Sequence, residues 1–405
     1  MKFTEFNLHP SLQEGIESLG FENATPIQIQ AIPVILEGRD LIGSAQTGTG
    51  KTAAFLIPII QQILTHKSGK SIQAMVIVPT RELAMQIDQQ MEGIAYFTGL
   101  SSMAIYGGGD GTTFTQEKQA LTEGADMVIC TPGRMIAHLN QEYAKTDGLK
   151  FLVLDEADRM LDMGFHEDIE KIINYLPKER QSLMFSATMP REIRGLARKI
   201  LKDPFEINIA VSKPAERILQ LAYVVYDAQK IPLITFILKN NKGKNVLVFC
   251  STKNSTKELS RALNIAGMKV SEIHSDLDQK MREEVMLKFR NKQINILVAT
   301  DILSRGIDVE DIDLIINYDA PNDGEDYIHR IGRTARAEAE GVAITLINEK
   351  DQGKFEQIEK LLEKSIHKAV VPGHLGETPV YDPKSNKQKH FKRKPQKGQK
   401  PFRKK

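Results

Sequence analysis

The chain has 405 residues, of which 41% are hydrophobic and 26% charged, with a formal net charge of +2. This length predicts two or three domains, each large enough for its own core. No stretch approaches the roughly 18 continuous apolar residues of a membrane span, and the first residues lack the apolar segment of a secretory signal. Two cysteines are too few for a disulfide framework, and the nine histidines have no zinc-ligand spacing. We therefore expect a cytoplasmic protein with reduced thiols and no membrane partner.

The charge is unevenly distributed along the sequence. Residues 381–405 hold 11 Lys and Arg and one Asp, whereas the rest of the chain carries 43 basic against 51 acidic residues. An acidic body with a basic tail predicts that the tail binds a polyanion. Phe391 and Phe402 lie among the tail lysines and could stack on bases. The alternative is a disordered tail that only keeps the protein soluble.

The N-terminal stretch has helical spacing of apolar residues. A helix is predicted from Ser11, as its N-cap, to Leu19, and Gly20 ends it. Gln28 follows, and its amide offers the donor and acceptor that the edge of adenine requires. The aromatic ring of Phe3 could stack on the same base. A single glutamine is weak evidence for a ligand site when taken alone.

A glycine-rich loop between a predicted strand and a predicted helix dominates the pattern of the chain. Its residues are Ala45, Gln46, Thr47, Gly48, Thr49, Gly50, Lys51 and Thr52. Such a loop turns tightly and directs backbone N–H groups at phosphate oxygens. Lys51 is expected to reach the β- and γ-phosphates, and the Thr52 hydroxyl to bind Mg²⁺. Kinases, transporters and motors share this loop, so it does not define one function.

Polar residues follow the next predicted strands. The strands at 74–78, 127–130, 149–154 and 183–185 are apolar runs. Ligands of open α/β sheets bind beyond the carboxyl ends of strands. The polar or glycine-rich segments at such ends contain Thr80, Arg81, Gly108, Thr131 and Arg134. The glycines around Gly108 either allow another backbone to approach closely or form a mobile surface loop.

Two acidic residues end the strand at 149–154. Asp155 is expected to hold Mg²⁺, directly or through water. A second carboxylate, that of Glu156, could orient and deprotonate a water molecule, which favours hydrolysis over phosphoryl transfer to a substrate hydroxyl. Ser186 and Thr188 follow the next strand, and their hydroxyls are expected to hydrogen-bond to the acidic cluster.

A second αβ series follows a linker predicted near residues 203–216. Its strands are predicted at 245–249, 294–298, 314–316 and 342–346, without a second Gly-Lys-Thr loop. Arg333 and Arg336 share a helix face, where they could act as arginine fingers on a nucleotide of the first domain. The alternative is a solvated basic helix face.

Nine short motifs occur in the order found in one family. They span Gly20 to Gln28, Ala45 to Thr52, Pro79 to Ala84, Thr131 to Arg134, Asp155 to Asp158, Ser186 to Thr188, Gln279 to Arg282, Ala299 to Asp308 and His329 to Arg336. Over roughly residues 1–370 the chain resembles the DEAD-box ATP-dependent RNA helicases. Residues 159–165 and the short basic tail resemble the bacterial RhlE-like subgroup.

The resemblance implies an α/β protein of two RecA-like parallel-sheet domains joined by a short linker, with ATP and RNA bound across the cleft between them. It implies domains at 1–209 and 217–370 and a disordered basic tail at 371–405. The implied catalytic residues are Lys51, Glu156, Arg333 and Arg336. The implied ATP-binding residues are Phe3, Gln28, the loop from Ala45 to Thr52, and Asp308 on the ribose, with Thr52 and Asp155 for Mg²⁺. The implied RNA-binding residues are Thr80, Arg81, Gly108, Thr131, Arg134, Arg282 and Thr300. The implied interdomain coupling residues are Asp158, Ser186, Thr188, His329 and Arg330.

The function that follows from the resemblance is RNA-stimulated ATP hydrolysis that drives domain closure and local unwinding of short RNA duplexes or remodelling of RNA–protein complexes. RNA is the expected partner, single-stranded or as a short duplex, with little sequence specificity. Ribosome-assembly or RNA-degradation proteins are further expected partners. Two alternatives stay open: an ATP-gated RNA clamp or annealing chaperone with little unwinding, and a DNA-directed motor.

Overall fold

In the computed structural model the chain forms two compact units, one before and one after residues 210–217 in the sequence. The structure describes residues 1–45, 48–66, 71–108, 111–209, 218–300, 312–322, 324–334 and 341–383. Within these ranges no helix is both long and apolar enough to cross a membrane.

A seven-stranded parallel sheet forms the centre of the first unit. Its strands are β1 (Leu41–Ser44), β2 (Ala74–Ile77), β3 (Ser102–Ile105), β4 (Met127–Cys130), β5 (Phe151–Leu154), β6 (Gln181–Ser186) and β7 (Phe205–Asn208). Their order across the sheet is β3-β4-β2-β5-β6-β1-β7. Because all strands are parallel, their carboxyl ends lie along one edge, where ligands of such sheets bind.

Helices cover both faces of this sheet. They are α1 (Pro10–Ser18), α2 (Pro26–Leu36), α3 (Lys51–Thr65), α4 (Arg81–Ile94), α5 (Gly111–Glu123), α6 (Pro132–Leu139), α7 (Ala157–Asp162), α8 (His166–Asn174) and α9 (Arg191–Ile200). On β6, Leu183 and Phe185 belong to one apolar cluster and Met184 to the other, as the alternation of side chains along a strand requires. The unit therefore has three layers and a core on each face of the sheet.

The second unit repeats this topology. Its strands are β8 (Ile218–Val224), β9 (Val246–Cys250), β10 (Val270–Ile273), β11 (Ile296–Thr300), β12 (Leu314–Asn317), β13 (Gly341–Ile347) and β14 (His367–Lys368). Its described helices are α10 (Asp227–Asn240), α11 (Lys253–Ile265), α12 (Gln279–Arg290), α13 (Gly324–Ile331) and α14 (Gln352–Leu361). The order β10-β11-β9-β12-β13-β8-β14 is that of the first sheet with seven added to each number. Strand β8 therefore corresponds to β1, and β12 to β5. The predicted α/β fold with two parallel sheets is confirmed.

Two local predictions in the first unit are wrong. The first helix begins at Pro10 and its N-cap is His9, two residues before the predicted cap Ser11; His9 Nδ1 accepts from the Ser11 N–H. Proline is well suited to the first helical position, so the helix starts there and the residue before it becomes the cap. Strand β7 lies within the predicted linker and pairs with β1 at the sheet edge. Only Ile207 of its residues is buried, which explains the weak apolar pattern.

The second unit extends beyond the predicted boundary at residue 370. A 3₁₀-helix spans Gly373–Leu375, and Tyr381 donates a hydrogen bond of 2.8 Å to Glu359 of α14. The Gln352 side chain donates to the Val380 carbonyl and accepts from the Asp382 N–H. Residues 371–383 are thus part of the folded unit. The predicted disordered tail lies outside the described residues from 384 onward.

Candidate functional site

The glycine-rich loop lies at the carboxyl end of β1, and α3 begins directly after it at Lys51. Gly48 and Gly50 have φ angles of 81° and 89°, which only glycine adopts without strain. Thr52 occupies the second position of α3, where its backbone N–H has no partner within the helix. Gln46 and Thr47 lie outside the described residues. The described part of the loop has the backbone form expected of a phosphate-binding turn.

Both ends of the Gln28 amide are hydrogen-bonded, and one of them contacts this loop. The Nε2 group donates to the Gly50 carbonyl at 3.0 Å, and Oε1 accepts from the Thr25 N–H at 2.8 Å. The side chain is 5% exposed. In this structure Gln28 therefore supports the loop, and its predicted contact with a base would use the second N–H and lone pair of the same amide.

Phe3 is buried rather than presented to a ligand. Its ring is 2% exposed and packs against Phe6 and Phe21, with 6.0 Å between ring centroids in each pair. The free stacking surface expected at this position is therefore absent from the described structure. The reason is that apolar contacts with its own segment cover the ring. Stacking of Phe3 on adenine stays a prediction.

Lys51 and Asp155 form the electrostatic centre of the loop region. Both side chains are buried, and Lys51 Nζ has no hydrogen-bond partner within the described residues. Burial raises the pKa of Asp155 to about 6, although the positive charge of Lys51 partly offsets this effect. A buried ammonium without a partner is costly unless an anion binds it. This orphaned cation is what a phosphate-binding site requires.

The same region has a limited set of ligands for Mg²⁺. Asp155 and Thr52 are the predicted oxygen donors, and both lie beside the loop. Among the described residues no group of three or more His, Cys, Asp or Glu side chains could hold a metal by itself. Mg²⁺ usually keeps several waters and binds one or two carboxylates together with substrate phosphates. The donor set fits a metal that arrives with a nucleotide.

Glu156 lies at a strained turn after β5. Its φ and ψ of 51° and 49° are left-handed, a conformation that is uncommon for non-glycine residues. Its N–H donates to Asp155 Oδ1 at 2.9 Å, and its carboxylate accepts from Arg159 Nη1 at 2.8 Å. Arg159 was missed by the sequence analysis, although its spacing of three residues along a helix could have indicated the pair.

Asp158 joins this turn to the end of β6. The Thr188 N–H donates to Asp158 Oδ2 at 3.0 Å, and the Asp158 N–H donates to Ser186 Oγ at 3.2 Å. Ser186 Oγ in turn donates to the Thr188 carbonyl at 2.7 Å. The expected link between the acidic cluster and the following strand is present, but Thr188 contributes its backbone and not its hydroxyl. A shift at the acidic turn would therefore move the end of β6.

The residues predicted to bind RNA lie on the other half of the same sheet edge. Thr80 follows β2, Gly108 follows β3, and Thr131 follows β4. These three strands are neighbours. The loop follows β1, Asp155 follows β5 and Ser186 ends β6, and these strands form the adjacent half of the sheet. The order of the strands thus places the residues predicted to bind the nucleotide on one half of this edge and those predicted to bind RNA on the other half.

Gly108 allows a close contact with Arg81. A Cβ atom at Gly108 would lie 2.1 Å from Arg81 Nη1, and the φ of 95° already disfavours other residues. The group that approaches this glycine is thus a side chain and not the backbone expected from the sequence. Thr80 is 7% exposed and its hydroxyl accepts from the Leu83 N–H, so it also caps α4.

The second unit has no counterpart of the phosphate loop within its described residues. After β8, helix α10 starts at Asp227 without a glycine-rich turn. The Arg330 side chain is buried, donates to Asn317 Oδ1 at 3.1 Å, and lies 5.2 Å over the Phe249 ring. It therefore joins α13 to β12 and β9 of its own unit. Arg333 follows α13 and is half-buried.

The remaining predicted residues of the second unit divide into described and undescribed ones. Thr300 ends β11, beside β10 in the sheet. Arg282 of α12 donates to the Ser275 carbonyl at 3.1 Å. Asp308, Arg336 and the side chain of His329 lie outside the described residues. The roles assigned to all these side chains stay predictions.

The fold and loop define a P-loop nucleotide-binding protein, and comparison with known proteins identifies its family. Residues 25–196 match the DEAD/DEAH box helicase family, and residues 229–338 match the helicase conserved C-terminal domain. The ATP-dependent RNA helicase CshA of Listeria monocytogenes is 41% identical over 372 residues, which cover 92% of this chain and 71% of that protein. The chain therefore belongs to the DEAD-box family of ATP-dependent RNA helicases.

Solved structures agree with this assignment. Dbp5 of S. cerevisiae bound to RNA and ADP BeF3 has a TM-score of 0.81 and 29% identity, over 91% of this chain and 95% of that one. Mss116 bound to ssRNA and UDP-BeF has a TM-score of 0.82 and 28% identity, over 92% and 80%. The predicted pair of RecA-like domains is confirmed.

Proposed function

We propose that this protein hydrolyses ATP in response to RNA and uses the cycle to separate short RNA duplexes or to remodel RNA–protein complexes. The observation that carries the proposal is the buried amine of Lys51 beside Asp155 at the phosphate loop, which has no hydrogen-bond partner in the part of the chain that the structure describes. The predicted RNA residues occupy the adjoining half of the same sheet edge, which supports direct coupling. Dbp5 and Mss116, both similar to this chain, were solved with RNA and a nucleotide analogue.

The residues in and around the phosphate loop have the following tasks in this proposal. Lys51 binds the β- and γ-phosphates, and Gly48 to Gly50 donate backbone N–H groups to phosphate oxygens. Thr52 and Asp155 hold Mg²⁺, which neutralises charge on the phosphates when it is bound. Glu156 orients the attacking water and accepts its proton. Gln28 recognises the base while it holds the Gly50 carbonyl.

Hydrolysis in this proposal needs groups from both units. Lys51 and Glu156 come from the first, and Arg333 and Arg336 from the second. An arginine finger supplied in this way accelerates phosphoryl transfer roughly 10³–10⁵-fold. RNA that binds both units favours domain closure and thereby completes the catalytic set.

RNA recognition is proposed to depend on the sugar–phosphate backbone. Arginine and hydroxyl side chains suit phosphates and 2′-hydroxyls, and such contacts carry little sequence information. The residues involved are Thr80, Arg81, Gly108, Thr131, Arg134, Arg282 and Thr300. We therefore expect activation by unrelated RNA sequences of similar length.

We also propose three properties that rest on the sequence alone. The protein acts in the cytoplasm, it assembles with ribosome-assembly or RNA-degradation proteins, and it belongs to the RhlE-like subgroup. Residues 159–165 and the short basic tail support the subgroup. The relative from Listeria monocytogenes reported above carries the name CshA, so a subgroup assignment needs a comparison of activities as well as of sequences.

The deciding experiment is steady-state ATP hydrolysis by the full chain without nucleic acid, with single-stranded RNA, and with single-stranded DNA of the same sequence. Strong stimulation by RNA alone is the expected result. Equal stimulation by DNA would favour the DNA-directed motor, and high activity with neither would contradict coupling through RNA. Strand-separation assays beside dwell-time assays on single RNA molecules then distinguish unwinding from an ATP-gated clamp or annealing chaperone.

A further inference from the structure

A buried polar cluster joins α5 to α6 in the first unit. Its members are Glu117 of α5, Arg134 and His138 of α6, and Tyr143. Glu117 is 1% exposed and His138 is fully buried. Of these residues only Arg134 belongs to the predicted RNA-binding set, and the proposed function leaves the others without a task.

Glu117 holds the guanidinium of Arg134 from one side. The Nε and Nη2 atoms of Arg134 lie 2.8 and 2.6 Å from the same carboxylate oxygen, Oε2. The guanidinium also lies 4.8 Å over the ring of Phe114. The side chain of Arg134 is 17% exposed. These contacts fix the plane of the guanidinium while part of it still faces solvent.

His138 holds the Glu117 carboxylate in turn. Its Nε2 lies 2.9 Å from Glu117 Oε2, and its Nδ1 contacts the Tyr143 hydroxyl. A neutral histidine with its proton on Nε2 satisfies both contacts, because Nε2–H donates to the carboxylate and Nδ1 accepts from the tyrosine. The imidazole also stacks on Phe114, with centroids 4.7 Å apart and planes at 17°. The orientation of the carboxylate is therefore set from inside the protein.

The carboxylate in this cluster is ionised at neutral pH. Burial alone would raise the pKa of Glu117, but hydrogen bonds from His138 and Arg134 hold it below its ordinary value. Hydrogen bonds between charged groups are shorter and stronger than those between neutral ones. Arg134 is consequently held in one geometry, although the Glu117 carboxylate offsets part of its positive charge.

We infer that Glu117, oriented by His138, is a positioning residue that fixes Arg134 for contact with an RNA phosphate. This inference rests on the proposed function, since it assigns a task to one of the RNA-binding residues. A free arginine loses side-chain entropy when it binds, and a guanidinium that is already held loses less. Glu117 therefore increases RNA affinity although its charge has the same sign as that of RNA.

Because Glu117 and RNA are both negatively charged, the variant Glu117→Gln tests the inference directly. It keeps the size of the side chain and removes its charge. Simple electrostatics predicts tighter RNA binding by this variant, because the local net charge becomes more positive. Positioning predicts weaker binding. We expect the concentration of a 20-nucleotide oligouridylate that gives half-maximal ATPase activity to rise about tenfold, with kcat at saturating RNA unchanged.

A double-mutant cycle separates positioning from general loss of structure. The variants are Glu117→Ala, Arg134→Ala and the double variant, measured for RNA activation, for ATP binding without RNA, and for thermal unfolding. We expect Glu117→Ala to weaken RNA activation in the wild-type background and to have no further effect when Arg134 is alanine. His138→Gln gives a second, milder test. Lys199→Ala, which removes an exposed ion pair with Glu170 in the same unit, is the matched control and should leave RNA activation unchanged.

Two outcomes would overturn the inference alone, and a third would overturn it together with the RNA role of Arg134. One is tighter or unchanged RNA activation in Glu117→Gln. The other is an equal loss from Glu117→Ala with and without Arg134. A normal RNA response of Arg134→Ala would remove the inference together with the RNA role of Arg134, while stimulation of the wild-type chain by RNA would still support the proposed function.

Discussion

Lys230 and Asp319 form a largely buried ion pair in the second unit, with 2.8 Å between Nζ and Oδ1. They follow β8 and β12, the counterparts of β1 and β5 in the first unit. Lys51 and Asp155 follow β1 and β5, but there the lysine has no hydrogen-bond partner among the described residues. Both units thus place a lysine and an aspartate after corresponding strands. In the second unit the two side chains form an ion pair, whereas in the first unit the lysine is available to a ligand.

The two lysines should respond in opposite ways to substitution by methionine. We expect Lys51→Met to abolish ATP hydrolysis and to change the free energy of unfolding by less than about 1 kcal/mol, because the burial cost of an ammonium without a hydrogen-bond partner among the described residues roughly offsets its attraction to Asp155. Lys230→Met should destabilise the second unit by roughly 3 kcal/mol, since it leaves Asp319 without its cation. Denaturant unfolding monitored by circular dichroism measures both values. Equal losses of stability would contradict the contrast.

The stability provided by the second pair should depend on pH. Burial alone would raise the pKa of Asp319, but Lys230 and Ser251 hold it below its ordinary value of 3.8. A carboxyl whose pKa is lowered by folding stabilises the native state above its unfolded pKa, and this contribution is lost as the pH falls through the folded pKa. The difference in unfolding free energy between the wild type and Lys230→Met should therefore be largest near pH 7 and shrink below pH 3.8. A constant difference would mean that packing and not charge is responsible.

Gly50 and Gln28 give a prediction about the phosphate loop. A Cβ atom at Gly50 would lie 2.4 Å from Gln28 Nε2, and the φ of 89° adds backbone strain. We expect Gly50→Ala to weaken ATP binding at least tenfold, because the loop and the amide must both move. Gly38→Ala is the matched control, since Gly38 has a φ of 78° and no neighbour within 4 Å of the added atom. Fluorescent-nucleotide titration should show normal affinity for this control, and a similar loss in both variants would exclude the Gln28 contact as the cause.

The strands and the phosphate loop could be predicted from sequence because their signals are local. Apolar runs such as residues 74–77 are buried on both faces of a parallel sheet and show no competing pattern. Strand β7 could not be predicted, because an exposed edge strand with a single buried side chain resembles a loop. The packing of Tyr381 on Glu359 joins residues 22 positions apart, and no local pattern indicates such a contact.

For the site residues, too, only patterns that are contiguous in the sequence could be predicted. The loop from Ala45 to Thr52 and the acidic pair after β5 are contiguous in sequence and were found as motifs. The partners of those residues come from elsewhere in the fold, so sequence patterns missed Glu117 beside Arg134 and the buried support of Gln28 for Gly50. The burial of Phe3 could not be foreseen either, since an aromatic side chain suits both a core and a base-stacking surface.

Arg159 provides a prediction about hydrolysis itself. Its guanidinium holds the Glu156 carboxylate at 2.8 Å, and both side chains are mostly buried. We expect Glu156→Gln to lower kcat by about 100-fold or more while ATP and RNA still bind. Arg159→Gln should lower kcat about tenfold with unchanged affinities, because it removes only the orientation of the carboxylate.

The control for Arg159 is an ion pair of the same spacing. Lys171 and Asp168 are three residues apart on α8, 3.3 Å from each other and exposed. Lys171→Gln should have wild-type kcat. Partial recovery of kcat in Arg159→Lys would support orientation by a positive charge, and normal turnover in Glu156→Gln would remove Glu156 from its catalytic role.

The basic tail yields a final prediction, and the fold dictates where the chain must be cut. Truncation before residue 381 would remove Tyr381, whose hydroxyl bonds Glu359 and whose ring contacts Phe355, and would destabilise the second unit. Truncation after Pro383 retains these interactions and removes all 11 basic residues of the segment 381–405.

For every RNA phosphate that the tail neutralises, removal of the tail should reduce the slope of log Kd against log salt by about 0.7 for single-stranded RNA. We therefore expect the shorter chain to bind RNA more weakly and with a flatter salt dependence, at unchanged kcat under saturating RNA. An unchanged slope would show that the tail does not bind RNA and serves solubility instead.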